Sequence, residues 1–407
     1  VSSISLSRLR NHIDSLARFG ALPGGGVTRS AWSPPHEEAR AWLLGRMKDA
    51  GLETSIDPAG NVFGRLGGAG PAVYTGSHID TVPEGGILDG ALGVLAGLEC
   101  LHTINSANLP HRLPLVVGAW SDEEGRYASL FGSRAFVGRL DPERVPDMAA
   151  VDGDRLVDAM ARAGFDARRA HTAAADPGSV SAYVELHIEQ GPHLEEKGTP
   201  IGVVTAIVGV RRTRIVFVGQ PDHAGTTPMA RRRDAFLAAA DYALRARELI
   251  VTKGSRDSVT NFGVVKVHPG VTNIVPGRAE LVHEMREPDP RVLERMYAQC
   301  VKLAQSIAAR RKLTVEIAPM SQTAPAQCAP RVQDAVARAS RALGLPFRRM
   351  HSAAGHDAQN LALITEAGMV FIPSQGGRSH RVDEMSDWDA IERGANVLLG
   401  TLLTLSA

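Results

Sequence analysis

The chain has 407 residues, 44% apolar and 22% charged, with a formal net charge of +1, the balance of a folded protein of roughly two or three domains. That balance gives no footing for nucleic acid or a charged membrane surface, and the one basic run, Arg231-Arg232-Arg233, closes on Asp234 and reads as a solvated helix entrance. Three widely spaced cysteines, Cys100, Cys300 and Cys328, exclude a CxxC thiolate zinc site and point away from a disulfide framework, toward a reducing, cytoplasmic compartment.

Residues 5–54 carry a mostly helical pattern broken at 22–26. From about Asn61 a strand–loop–helix grammar takes over. Apolar runs at 71–77, 114–120, 182–188 and 368–373 lack clean polar alternation, as buried parallel strands do. Helical patterns are expected over about 90–106, 129–138, 331–343, 356–367 and 388–405. The middle behaves differently. Residues 212–218 partly alternate, a helical stretch covers about 234–251, strand-like runs lie near 261–268 and 278–286, a helix spans about 290–310, and a strand lies near 313–318. That β-α-β-β-α-β order is the split arrangement of a ferredoxin-like module. The expected fold is α/β, with a mixed, mainly parallel sheet flanked by helices in a discontinuous domain (1–207 and 319–407), and an inserted α+β domain at 208–318. No apolar stretch is long enough to span a bilayer. The first residues lack the pattern of a secretory signal, and the chain opens on Val1 rather than Met, which leaves room for residues upstream.

Four apolar runs end in imidazole or carboxylate groups. The first leads into His78-Ile79-Asp80 and, past a Gly-rich loop, Asp89; the second into Asp122-Glu123-Glu124; the third into His187; the fourth, through a Gly/Ser loop, to His380. In an open α/β sheet the carboxyl ends of strands meet at one crevice. Imidazole and carboxylate without thiolate are what a divalent hydrolytic site needs. His78 and Asp80, two apart, face the same side of an extended chain, so His78 is expected as a ligand and Asp80 as the acceptor for the far nitrogen of its ring. Asp89, on a turn before Gly90, is placed to bridge two ions about 3.5–4 Å apart. Glu123 and Glu124 point in different directions, Glu124 toward a metal and Glu123 free as general base, with its pKa raised by burial. Singly, each position has an ordinary structural reading; four sheet-end loops each supplying a ligand-type residue weigh far more toward a metal-dependent hydrolase.

These segments are recognisable. Gly76-Ser77-His78-Ile79-Asp80-Thr81-Val82, Gly85-Gly86-Ile87-Leu88-Asp89-Gly90 and Ser121-Asp122-Glu123-Glu124-Gly125 resemble the dinuclear M20-type metallopeptidase and amidase superfamily. His187-Ile188-Glu189-Gln190-Gly191-Pro192, the run from Gly219 through Asp222-His223-Ala224-Gly225 to Met229, Gly355-His356-Asp357-Ala358 and Ser379-His380 resemble its hydantoinase/carbamoylase branch. That branch holds N-carbamoyl-L-amino-acid hydrolases, allantoate and ureidoglycolate amidohydrolases and β-ureidopropionases. The resemblance implies a metallopeptidase-like catalytic domain, a lid and dimerisation role for the insertion, and two divalent ions. One ion would be held by His78, Asp89 and His187, the other by Asp89, Glu124 and His380. Peptidase branches usually carry an acidic residue where His187 stands. The family pattern also places Gln190, His223, Asn273 and Arg286 around the substrate, with His223 reaching a partner subunit's site.

Local chemistry suits these roles. Arg286 offers a planar fork to a carboxylate, Asn273 an amide donor to the same group, Gln190 a partner for a ureido head, and His223 a donor to an oxyanion. Glu284-Met285-Arg286 departs from the Asp-hydrophobic-Arg order of relatives and lengthens a side chain beside the clamp. His356 with Asp357 reads as a substrate-side or supporting pair, with a helix start as the plain alternative. The expected reaction is hydrolysis of N-carbamoyl-L-amino acids to L-amino acid, ammonia and carbon dioxide by a homodimer whose lid closes on a small ureido-carboxylate substrate. Zn²⁺ or Mn²⁺, or Co²⁺ or Ni²⁺, would serve. The same residues leave open an allantoate, ureidoglycolate or β-ureidopropionate hydrolase, an aminoacylase or dipeptidase, and a non-catalytic binding protein on the same fold.

Overall fold

The computed structural model describes residues 2–407. These form two compact units: residues 2–205, 328–350 and 356–407, and residues 206–327 with 351–355. Among the described residues, fifteen strands follow in chain order: β1 (Glu53–Ile56), β2 (Val62–Leu66), β3 (Ala72–His78), β4 (Leu115–Trp120), β5 (Val180–Ile188), β6 (Ile201–Ile207), β7 (Gly209–Val218), β8 (Asp222–His223), β9 (Val259–His268), β10 (Ile274–Val275), β11 (Arg278–Glu287), β12 (Thr314–Thr323), β13 (Ala326–Gln327), β14 (Phe347–Ser352) and β15 (Ala367–Ile372).

The sheet of the first unit runs β1-β2-β4-β3-β5-β15-β6. Its centre, β4-β3-β5-β15, is parallel, and its outer pairs are antiparallel. The parallel strands are the four apolar runs expected from the sequence. β4 and β15 are buried along their whole length, because helices cover both faces. The helix Ala91–Ser106 is buried on nearly every side and shares one core with Leu9, Leu43, Val336, Leu398 and Leu402. Each such fully buried aliphatic side chain contributes on the order of 2 kcal/mol.

In the second unit, β7, β9, β11 and β12 form an antiparallel sheet of order β12-β7-β11-β9, crossed by the helices Ala235–Lys253 and Pro290–Arg310. This is the ferredoxin-like module. The period of two is visible in β11: Ala279, Leu281, His283, Met285 and Glu287 are buried, while Arg278, Glu280, Glu284 and Arg286 lie on the other face. Asp234 and Asp289 cap the two helices through Leu237 N–H and through Arg291 and Val292 N–H. The helices bury Tyr242, Met296 and Ile307 against Phe217, Leu281 and Met285.

Several elements depart from the sequence expectation. The helix expected over 356–367 is only Asp357–Leu361; the chain continues in tight turns, with Leu363 N–H on Asn360 O and Ile364 N–H on Leu361 O, before entering β15 at Ala367. The helix near 129–138 shortens to Phe131–Phe136. β12 extends to Thr323 because it pairs along the whole of β7, so the second unit runs to 327 and takes up 351–355, rather than ending at 318. Residues 145–173, unassigned from sequence, form the helix Leu156–Arg162 and short 3₁₀ turns around a small core with Trp32, Tyr127 and Phe131. Among the described residues no helix is long and apolar enough to cross a membrane.

Candidate metal centre

The parallel centre of the sheet delivers its polar residues to one edge. His78 is the last residue of β3 and sits opposite Trp120, the last of β4; Asp122-Glu123-Glu124 follow directly. His187, near the end of β5, lies opposite Phe371 of β15, which leads to the His380 loop. The other four expected ligands converge on Asp89. Its Oδ1 is 3.2 Å from His187 Nε2 and 3.9 Å from His78 Nε2. Its Oδ2 is 3.2 Å from His380 Nε2, which is 3.6 Å from Glu124 Oε2. Donor atoms of His78, Asp89 and His187, and separately of Asp89, Glu124 and His380, lie within 4.8 Å of one another. Glu123 Oε2 stands 3.6 Å from His78 Nε2, and Glu123 groups with His78 and Glu124 in the same sense. Gly90 makes this packing possible: at φ +65°, a Cβ there would come within 2.4 Å of the His78 ring.

The supporting bonds differ from expectation at Asp80. The far nitrogen of His78, Nδ1, is 2.9 Å from the main-chain carbonyl of Asp80, whereas the Asp80 carboxylate is 3.8 Å away. That carboxylate instead accepts the main-chain N–H of Glu123 at 3.4 Å and of Glu124 at 3.2 Å. The local turn puts the carbonyl beside the ring and frees the side chain to hold the glutamate pair. His187 Nδ1 likewise meets Ile188 O at 2.9 Å. A carbonyl partner fixes Nδ1 as the donor, so both rings present Nε2 to the cluster. Asp122, at φ +52°, accepts the N–H groups of Arg126, Tyr127 and Ala128 and shapes the turn after Glu124.

Burial opposes charge throughout this cluster. Asp89 overcomes it: hydrogen bonds from His187 and His380 carry its carboxyl well below the ordinary range. The same bond lifts His187 to about 9 against its burial, and lifts His380 to about 9. Glu123 goes the other way, pushed well up by burial and then by Glu124. Burial and Asp89 push Glu124 to about 7.

Gln190, at φ +59°, donates its side-chain N–H to Asp89 Oδ2 and to Ser379 Oγ, both at 3.0 Å. Its Oε1 is buried without a hydrogen-bond partner. His356 is buried, edge-on to His187 with ring centres 4.5 Å apart; burial and then His187 hold its pKa well below the ordinary value. Asp357 is buried beside it. Three buried residues went unseen in the sequence. Glu185 accepts from Ser77 Oγ, Tyr183 Oη and Ala358 N–H. Ser374 Oγ accepts Gln190 N–H. Glu384 bonds to both the Asp89 and His380 loops. Only Glu384, four residues past His380, had a sequence signal. A cleft of about 410 Å³ opens beside Asp80 and Glu124, walled by Ala31, Val82, Pro83, Ala150 and Val151.

His223, Asn273 and Arg286 belong to the second unit. His223 Nδ1 accepts the N–H groups of Gly225 and Thr226 at 3.0 and 3.1 Å, which leaves the ring proton on Nε2. The β8–β10 ribbon sets Ile274 opposite His223, and Asn273 O accepts Ala224 N–H. Arg286 donates Nε–H to Glu284 Oε1 at 2.8 Å and Nη1–H to Ala353 O at 3.0 Å. The longer Glu284 side chain thus occupies one edge of the guanidinium fork and also pairs with Arg212 at 2.6 Å.

The donor set fits divalent cations. It is oxygen and imidazole only, Asp89 turns one oxygen to each of two groups, and Glu124 Oε1 is buried with no hydrogen-bond partner. Dications entering such a set displace imidazole protons.

Comparison with known proteins gives the same picture. The family model of peptidase family M20/M25/M40 matches residues 74–404. An N-carbamoyl-L-amino acid amidohydrolase of Geobacillus stearothermophilus is 38% identical over 404 residues, 98% of each chain. An allantoate amidohydrolase of Escherichia coli strain K12 is 35% identical over 96% of each chain. The crystal structure of a hydantoinase/carbamoylase-family amidase from Burkholderia multivorans superposes with a TM-score of 0.89 at 36% identity, covering 100% of this chain and 98% of that one. With likeness of this extent along the whole chain, the protein belongs to the M20 family, in its hydantoinase/carbamoylase branch, and is an amidohydrolase acting on C–N amide bonds.

Proposed function

We propose that the chain hydrolyses N-carbamoyl-L-amino acids to the L-amino acid, ammonia and carbon dioxide, using two divalent cations. The observation that carries this is the division of Asp89: Oδ1 faces His187 and His78, and Oδ2 faces His380 and Glu124. One cation is assigned to His78, Asp89 and His187, the other to Asp89, Glu124 and His380, with Zn²⁺ or Mn²⁺ favoured over Co²⁺ or Ni²⁺. When bound, they supply Lewis acidity to the carbamoyl oxygen and to the attacking water.

The remaining steps fall to the chain's own side chains. Glu123 belongs to neither Asp89-centred set, so it is assigned the proton: it takes one from the water and returns it to the leaving nitrogen. Its place 3.6 Å from His78 Nε2, at the edge of the cluster, suits a group that passes a proton between water and the leaving nitrogen. Gln190, its amide held by Asp89 and Ser379, offers Oε1 to the ureido N–H. His223 contributes Nε2–H to the oxyanion, while Arg286 and Asn273 receive the substrate carboxylate. His356, buried against His187, is assigned to holding that ring in place of direct substrate contact. The cleft beside Glu124, mainly apolar but lined also by Arg126 and Asp152, suits an amino-acid side chain. Allantoate and ureidoglycolate carry no such side chain, and this favours the carbamoyl amino acid over them.

Two wider readings go with this. The protein acts as a homodimer through its second unit. In support, β9 is an edge strand exposing Val259, Val264 and Val265, and the helix Ala235–Lys253 exposes Phe236, Leu237, Leu244 and Val251. It works in a reducing, cytoplasmic setting, in keeping with three buried free cysteines.

The test is ammonia release from a panel of N-carbamoyl-L-amino acids, allantoate, ureidoglycolate and β-ureidopropionate, with release of free amino acid followed for a dipeptide, and with Mn²⁺ and Zn²⁺ in parallel. The highest kcat/KM is expected on a carbamoyl amino acid with an apolar side chain. A preference for allantoate or ureidoglycolate would replace this substrate assignment.

A further inference from the structure

Glu384 ties its own loop, which carries His380, to Asp89, 295 residues away from it in the chain. Its side chain is buried, with 3% of the residue exposed. Oε1 accepts the main-chain N–H of Asp89 at 3.0 Å. Oε2 accepts the main-chain N–H of His380 at 3.1 Å and the hydroxyl of Ser379 at 2.8 Å. The chain keeps room for it: a Cβ on Gly86 would lie 2.3 Å from Glu384 Oε1 and 2.5 Å from its Cβ and Cδ. His380 has φ +57°, a left-handed backbone that a residue other than glycine keeps only where its surroundings hold it. The bond from its N–H to Glu384 is such a hold. The connection also reaches the amide expected to face substrate, because Ser379 Oγ accepts from Gln190.

We propose that Glu384 is a positioning residue that sets the distance between Asp89 and His380, and so governs affinity for the cation assigned to Asp89, Glu124 and His380. The proposal rests on the dinuclear reading above. Both oxygens of Glu384 face hydrogen donors. A glutamine there would turn an N–H₂ group against one set of them, and that end of the connection would open. An aspartate is one methylene too short to span both loops.

The experiment titrates metal-free wild type, Glu384→Gln and Gly86→Ala with Zn²⁺ against a chromogenic chelator, without substrate, after circular dichroism has shown each to be folded. Gly86→Ala presses on Glu384 while leaving its hydrogen-bonding groups in place, so it serves if Glu384→Gln does not fold. Wild type is expected to take two equivalents. Each variant is expected to bind the first within about threefold of wild type and the second about 10–100-fold more weakly, the usual cost of losing a group that orients a ligand. At saturating Zn²⁺, Glu384→Gln should keep a near-normal KM with reduced kcat. A folded variant that binds both equivalents as wild type does overturns the positioning role. A wild type that binds fewer than two equivalents overturns the dinuclear reading itself, and the role of Glu384 with it.

Discussion

The Asp80 carboxylate holds Glu124 through the backbone: Oδ2 accepts the Glu124 N–H at 3.2 Å, while Oδ1 takes that of Glu123 at 3.4 Å. One side chain therefore sets the direction of both glutamates, and it does so from the strand end that carries His78. Asp80→Ala is expected to lower kcat by about 10–100-fold, the range for losing such support. Asp80→Asn, which keeps one acceptor oxygen, should lose less. If Asp80→Asn and Asp80→Ala were equally impaired, the hydrogen bonds to the turn would not be the reason.

Glu123→Gln separates proton transfer from cation binding. The amide keeps the shape of the carboxyl and takes no proton from water. Turnover is expected to fall by about 10²–10⁴-fold, with cation content, measured by atomic emission, unchanged. Loss of an equivalent of metal would make Glu123 a ligand, as its 3.6 Å approach to His78 permits.

How much of this was legible in the sequence depends on distance along the chain. The four parallel strands read directly, because full burial leaves apolar runs without alternation, and their polar ends mark the edge where His78, Glu124 and His187 gather. The inserted module read through its element order. Asp80 was placed beside the right ring with the wrong atom: a spacing of two tells which side a residue faces, but not whether its carbonyl or its carboxylate meets the imidazole. Glu384 stands four residues past His380, which marks it only as part of that loop; its partner on the Asp89 loop is set by folding alone. β1 and β2 were missed because each is short and β1 is mostly exposed, so neither leaves a clear periodicity.

Arg286→Ala should raise KM for carboxylate substrates by about 10–100-fold, the worth of a charge-assisted bidentate contact, and Arg286→Lys should recover little of it. An uncharged ureido compound should react equally with both variants and wild type. Equal loss on the uncharged compound would mean that Arg286 serves the second unit's own structure, through Glu284 and Ala353.

If the β9 edge and the exposed face of Ala235–Lys253 pair with a second copy, a charge at either will block it. Val265→Lys and Leu244→Asp together place charges at exposed apolar positions of that surface, so the fold should be retained. Light scattering coupled to size exclusion should show a dimer for wild type and a monomer for the double variant. A variant that remains dimeric moves the interface elsewhere.

His283 gives the second unit its own response to acid. The ring is fully buried, 2.8 Å from both Tyr242 Oη and Thr260 Oγ1, and stacked on Phe262 at 4.4 Å. Burial lowers its pKa from 6.5 to about 4. Unfolded chains therefore take up this proton below pH 6.5, while folded ones resist it until about pH 4. The stabilisation is complete above the first value and lost as pH falls toward the second. Its full size is about 3 kcal/mol. Urea unfolding followed by circular dichroism should show wild type losing stability faster than His283→Gln between those two values, with the difference levelling off at neutral pH, because glutamine keeps polar contact with the two hydroxyls and does not titrate. Parallel pH profiles for the two proteins would mean that His283 is already protonated in the fold, and that its two hydroxyl partners act as acceptors for a buried imidazolium.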